Sequence, residues 1–149
     1  MSDFLDDWLT EDTNEKIPNQ RVWNVLVVDD EPDIVNVTKL TLSSFTYKNK
    51  TLNVQHAYSA AEAAEIISNT TDLALILLDV VMETDDAGLK LVKWIRDELG
   101  NNMVRIVLRT GQPGYAPEKS VIIDYDINDY KLKTDLTAEK LFTVVIASL

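Results

Sequence analysis

The chain has 149 residues, 46% of them hydrophobic and 26% charged, which suits one domain around a single core. It has no Cys and one His (His56), which excludes disulfides, thiolate metal sites, cysteine catalysis and any site needing two imidazoles. The formal charge is −11, from 25 acids against 14 bases, and a net anion gains nothing from counterion release at phosphate backbones, so neither nucleic acid nor an acidic membrane is an expected partner.

Residues 1–20 carry six acids (Asp3, Asp6, Asp7, Glu11, Asp12, Glu15) against Lys16 and end near Pro18, which predicts an acidic, flexible leader ahead of a domain at 21–149. The first residues have neither a basic region nor an apolar stretch, so they are not a signal peptide. The longest apolar run, residues 73–78, falls far short of the roughly 20 residues that span a bilayer. A cytoplasmic location is expected.

From Val22 the pattern becomes regular. Residues 22–28 are apolar and β-branched, as in a buried strand, and run into Asp29-Asp30-Glu31-Pro32, where acids and a Pro suit the first turn of a helix. Ile34, Val35, Thr38, Leu42 and Phe45 recur at helical spacing. A strand is predicted at 52–58, then a helix capped by Ser59 with Glu62 three residues on and Ala60, Ala63, Ala64 and Ile67 facing inward. The run 73–78 reads as the most buried strand and stops at Asp79. A helix over 88–99 with Leu91, Val92, Ile95 and Leu99 inward, a strand over 103–108, a short strand over 127–132 and a helix over 137–149 complete the series. The last helix carries Leu141, Val144, Val145 and Leu149 inward, and the chain stops inside this apolar pattern, which predicts a fragment cut within that helix. The segment 111–126 has two Pro and two Gly in its first seven residues, leaving room for an atypical fourth helix only.

Strands alternating with helices predict an α/β fold: an open, doubly wound five-stranded parallel sheet, whose site lies at the carboxyl ends of the strands. Those ends carry Asp29 and Asp30, Asp79, Thr110 and Lys133. Taken singly, these are a helix cap, a turn residue, a loop threonine and a surface lysine. Together they place every polar group of fixed position on one sheet edge. Three carboxylates within ~5 Å repel by about 3 kcal/mol per pair at an effective dielectric of ~20, so such a cluster calls for a cation, and an all-oxygen set suits Mg²⁺. An ammonium and a hydroxyl opposite would complete a socket for a phosphoryl group, with Asp79 as the carboxylate most rigidly presented for nucleophilic attack.

Val-Leu-Val-Val-Asp-Asp-Glu-Pro at 25–32, Leu-Leu-Asp-Val-Val-Met at 77–82, Thr110 and Tyr130-Lys131-Leu132-Lys133 together resemble the receiver domain of two-component response regulators, over residues 22–149. The resemblance implies a flavodoxin-like strand order, 2-1-3-4-5. It implies that Asp79 accepts a phosphoryl group from a histidine kinase or phosphotransfer protein, that Asp29, Asp30 and Asp79 with the backbone carbonyl of Val81 hold Mg²⁺ or Mn²⁺, and that Thr110 and Lys133 contact the phosphoryl oxygens. Thr110 and Tyr130 would form the switch. Lys131 is the fallback for Lys133, because strand parity points both the same way. Such a domain catalyses only its own phosphorylation and dephosphorylation; a homodimer is compatible with the family. Two other readings stay open: an interaction domain not regulated by phosphorylation, and an Asp-nucleophile Mg²⁺-dependent phosphatase, against which stands Val81 where that class carries a second acid.

The chain departs from the receiver pattern in places. Glu83 stands where a Pro is usual after Met82, and the loop to Gly88 is one residue longer. Val81 cannot hydrogen-bond a water attacking an acyl phosphate, leaving Gln112 as the nearest polar candidate, so slow self-dephosphorylation is expected. Thr134 replaces the usual cis proline, and a cis bond before Thr costs ~2.5–4 kcal/mol, so a trans Lys133–Thr134 bond is predicted. Residues 109–114 and 126–137 also resemble a receiver subgroup that heads longer proteins with an HD-type phosphohydrolase as C-terminal output module.

Overall fold

The computed structural model describes residues 22–82, 84, 86–111, 123, 127–132 and 138–149, with the backbone alone at 129, 130, 132, 138, 139 and 142. The expectations for the leader, the atypical fourth helix, Gln112, Lys133 and the Lys133–Thr134 bond lie outside the described residues.

The strands are β1 (Val22–Val28), β2 (Thr46–Tyr47), β3 (Lys50–Ala57), β4 (Leu73–Asp79), β5 (Arg105–Thr110) and β6 (Asp129–Leu132), and the helices are α1 (Pro32–Ser43), α2 (Ala60–Ser68), α3 (Ala87–Lys93) and α4 (Ala138–Ser148). The sheet order is β2-β3-β1-β4-β5-β6. Its five longer strands are parallel and reproduce the order 2-1-3-4-5. The central strands are apolar on both faces because both are covered. One face packs Leu26, Leu78, Ile106 and Leu108 with Ala63, Ile67, Leu91 and Ile95 of the α2–α3 layer. The other packs Val27, Leu77 and Val107 with Val35, Leu42, Leu141 and Val145 of the α1–α4 layer. Each fully buried Leu or Ile contributes about 1.5–3 kcal/mol, so these two layers fix where the strand ends stand.

Local chemistry explains the helix starts. Pro32 occupies the first turn of α1, where its missing N–H costs nothing. The capping box at Ser59 forms as expected: Glu62 N donates to Ser59 Oγ at 3.1 Å, and Tyr58 N donates to Glu62 Oε1 at 3.0 Å.

Four expectations need correction. The sheet gains an antiparallel edge strand, β2, joined to β3 through Lys48 and Asn49, both at positive φ (52° and 65°), the geometry of a two-residue hairpin turn. Helix α1 ends at Ser43, so Phe45 packs on the α1–α4 core from beyond it. Leu99 is 39% exposed rather than inward, because α3 continues into a π-helical turn over Trp94–Glu98, with Leu99 N donating to Trp94 O at 2.8 Å; the added residue per turn rotates Leu99 out. Met103 stands in solvent, since Asn101 Oδ1 caps Met103 N and Val104 N and the strand starts only at Arg105.

Candidate functional site

Asp29 follows the last residue of β1, and Asp79 is the last residue of β4. Val28 and Leu78 are paired across these strands, so the two acids leave adjacent strand ends side by side. Both are buried, at 0% and 2% exposure, while Asp30 and Glu31 are exposed. The chain turns sharply after β1: Asp29 N donates to Ala57 O at 3.1 Å, and Glu31 N donates to Asp29 Oδ1 at 3.0 Å. That turn brings carboxylate oxygens of Asp29, Asp30 and Glu31 within 4.8 Å of one another. The set grouped this way includes Glu31, which reads in the sequence only as a first-turn acid, and does not include Asp79.

The backbone around Asp79 is held from three sides. Val81 N donates to Asp79 Oδ1 at 3.3 Å, Val80 N donates to Arg109 O at 3.1 Å, and Gly88 N donates to Val80 O at 2.9 Å. Gly88 has no room for a side chain: a Cβ would overlap the Asp79 carbonyl oxygen and stand 2.8 Å from Val80 Cα. Met82 N donates to Thr84 O at 3.1 Å, closing the loop over the strand end. Farther out, Asp86 accepts from Thr84 Oγ1 at 2.9 Å and pairs with Lys90 at 3.5 Å; the Thr84 hydrogen bond chiefly, with Lys90, holds this carboxyl below its ordinary range.

Thr110 ends β5, fully buried, one residue beyond the register partner of Asp79. Val81 is half-buried with its side chain against the α2–α3 core, where an apolar residue gains most. On β6 the backbone of Tyr130 pairs with Leu108, and Lys131, half-buried, pairs with Arg109. The structure thus gathers Asp29, Asp30, Asp79, Val81 and Thr110 at one sheet edge, with Lys131 on the strand next to Thr110.

Arg109 is the residue that sequence reasoning missed. It is buried at 3% exposure in register with Asp79, and its Nη1 donates to Thr38 Oγ1 on α1 at 3.2 Å. Burial pulls the guanidinium below its ordinary value, and the charges of Asp29 and Asp79 pull it back up. An all-oxygen set of one buried and two exposed acids, with the buried Asp79 on the adjacent strand end, suits a hard divalent cation that keeps part of its water shell. No helix among the described residues is long and apolar enough to cross a membrane.

Comparisons with known proteins agree with this geometry. The family model for the response regulator receiver domain matches residues 25–145. A curated relative from Vibrio cholerae, 3'3'-cGAMP-specific phosphodiesterase 2, is 48% identical over 131 residues, which cover 88% of this chain and 25% of the relative; the chain spans about a quarter of that protein. Among solved structures, a CheY-like receiver domain protein from Methanospirillum hungatei JF-1 superposes with a TM-score of 0.69 at 22% identity, over 85% of this chain and 93% of that one. The signal receiver domain of an HD domain-containing protein from Pseudomonas fluorescens Pf-5 gives 0.67 at 20% identity, over 86% and 94%. The matched residues run from the first buried strand to the last helix and include every strand end described above, so the chain belongs to the receiver-domain family of two-component response regulators.

Proposed function

We propose that Asp79 accepts a phosphoryl group from a histidine kinase or phosphotransfer protein in a Mg²⁺-dependent reaction, and that the phosphorylated chain presents a changed output surface. The observation that carries this reading is the placing of two buried carboxylates, Asp29 and Asp79, on adjacent strand ends with the buried Thr110 one strand away. Asp29 and Asp30 would hold the cation, with Glu31 within reach and the Val81 carbonyl as a further oxygen donor. Bound there, the cation would neutralise phosphoryl oxygens. Asp79 would be the nucleophile, its carboxylate oxygen attacking phosphorus while the donor's imidazole leaves, giving an acyl phosphate. Thr110 and Lys133 would then be drawn to the new acceptor oxygens and Tyr130 would repack, shifting the population of the surrounding surface.

The domain at 21–149 acts in this reading as the cytoplasmic receiver of a longer protein. The Vibrio relative, of which the match covers a quarter and which is named as a phosphodiesterase, and the HD domain-containing protein from Pseudomonas support a phosphohydrolase output module under receiver control. The receiver itself turns over no substrate beyond its own phosphoryl group.

Beryllofluoride with Mg²⁺ tests this reading. The expected result is a stable adduct that raises the thermal midpoint of the wild type and leaves Asp79→Asn unchanged. No shift in the wild type contradicts it, and steady release of phosphate from an added phosphate ester would assign the site to hydrolysis.

A further inference from the structure

On the α1–α4 side of the sheet the buried core, from Val25 on β1 to Val145 on α4, is aliphatic apart from Thr38, and Arg109 enters at the margin of this layer. A valine or leucine would fill the position at less cost, because a buried guanidinium must satisfy five N–H bonds. Arg109 does not satisfy them: Nη1 donates to Thr38 Oγ1 at 3.2 Å, while Nε and Nη2 have no hydrogen-bond partner among the described residues. Thr38 is itself buried and already donates to Ile34 O at 2.7 Å, so its oxygen is oriented to receive the arginine. Register and strand alternation put Arg109 and Asp79 on the same face of adjacent strands, and the charges of Asp29 and Asp79 both act on the guanidinium. What offsets its burial, in part, is the charge of Asp29 and Asp79 acting through space, with Asp79 on the neighbouring strand in register with it.

We propose that Arg109 is a resident counter-cation for the acid pair: it holds Asp29 and Asp79 together when no divalent ion is bound, and opposes a divalent ion that enters, so that it sets the affinity of the site. The second half rests on the reading of the site given above; the first half does not. Because the guanidinium is tied to Thr38, loading of the site is also felt at α1. Arg109 would thus keep the domain folded in the metal-free state and keep divalent binding weak enough to be reversible.

The test uses the whole chain as wild type, Arg109→Met, Arg109→Gln, Arg109→Lys, Asp29→Asn and the Arg109→Met/Asp29→Asn double variant. Calorimetric titration with Mg²⁺ should show about tenfold tighter binding in the neutral variants and wild-type affinity within about threefold in Arg109→Lys. Should Arg109→Met not fold, Arg109→Gln decides the comparison. In EDTA, removing the arginine should lower the thermal midpoint, and the loss should shrink when Asp29 is already neutral. Equal or weaker Mg²⁺ binding in the neutral variants overturns the role in affinity, and strictly additive losses in EDTA overturn the counter-charge. A wild type that binds no Mg²⁺ but shows the non-additive loss sinks the divalent reading of the site and leaves the counter-charge standing.

Discussion

Val81 decides how long a phosphoryl group should last on this site. Its side chain packs on the α2–α3 core and offers no hydrogen bond to a water approaching the acyl phosphate. Phospho-Asp79 should therefore persist for minutes or longer in Mg²⁺, and Val81→Asn, which can orient that water, should shorten its life about tenfold. Loss of the phosphoryl group within seconds in the wild type, followed by intact mass, contradicts this. Gly88 matters for a different reason. Any Cβ there meets the backbone of Asp79 and Val80, which cannot yield as a flexible side chain would. Gly88→Ala should cost about 1–3 kcal/mol in urea unfolding and slow phosphorylation by displacing the acceptor, whereas an unchanged midpoint would show that the loop relaxes freely.

At the level of elements, the sequence is most readable where a strand is buried on both faces. Residues 25–28 and 75–78 are continuous apolar runs that end at acids, so both the strands and the site residues Asp29 and Asp79 stand out at the points where the runs stop. Thr110 is legible one step less directly, as the hydroxyl residue just before Gly111 at the close of the strand that contains the apolar run 106–108. Arg109 is not, since one arginine at a strand end reads as solvated until Thr38, 71 positions earlier, is seen to receive it. Glu31 is likewise read as a helix-start acid until the turn after β1 groups its oxygens with those of Asp29 and Asp30. The outward turn of Leu99 depends on a π-helical turn that leaves no periodic trace over five residues. The β2–β3 hairpin is hidden because a two-residue strand has no measurable alternation and Lys48-Asn49 is not a turn pair rich in glycine. That gives a prediction about the element itself. Lys48→Asn with Asn49→Gly should relieve the positive-φ cost and raise stability by about 0.5–1 kcal/mol in chemical unfolding; a loss of stability would mean that the Lys48 contact over the Tyr47 ring, at 5.3 Å, outweighs backbone strain.

Across the whole molecule, two helical layers pin the five parallel strands of the sheet so that their carboxyl edge becomes a fixed frame for charge. The chain as a whole is an anion of −11, and its buried acids add repulsion at one place, so positive charge near them stabilises the frame. In the account given above, Arg109 supplies part of this charge from inside, and a divalent ion would add to it from solvent. Phosphorylation of Asp79 would add negative charge at the same edge, which is why a cation, a hydroxyl and a lysine are the groups expected to respond. The most direct measurement is the intact mass of wild type and Asp79→Asn after acetyl phosphate in Mg²⁺ and in EDTA. The account predicts one added phosphoryl group on the wild type in Mg²⁺ only and none on Asp79→Asn; equal labelling of the two, or none on the wild type, would contradict it.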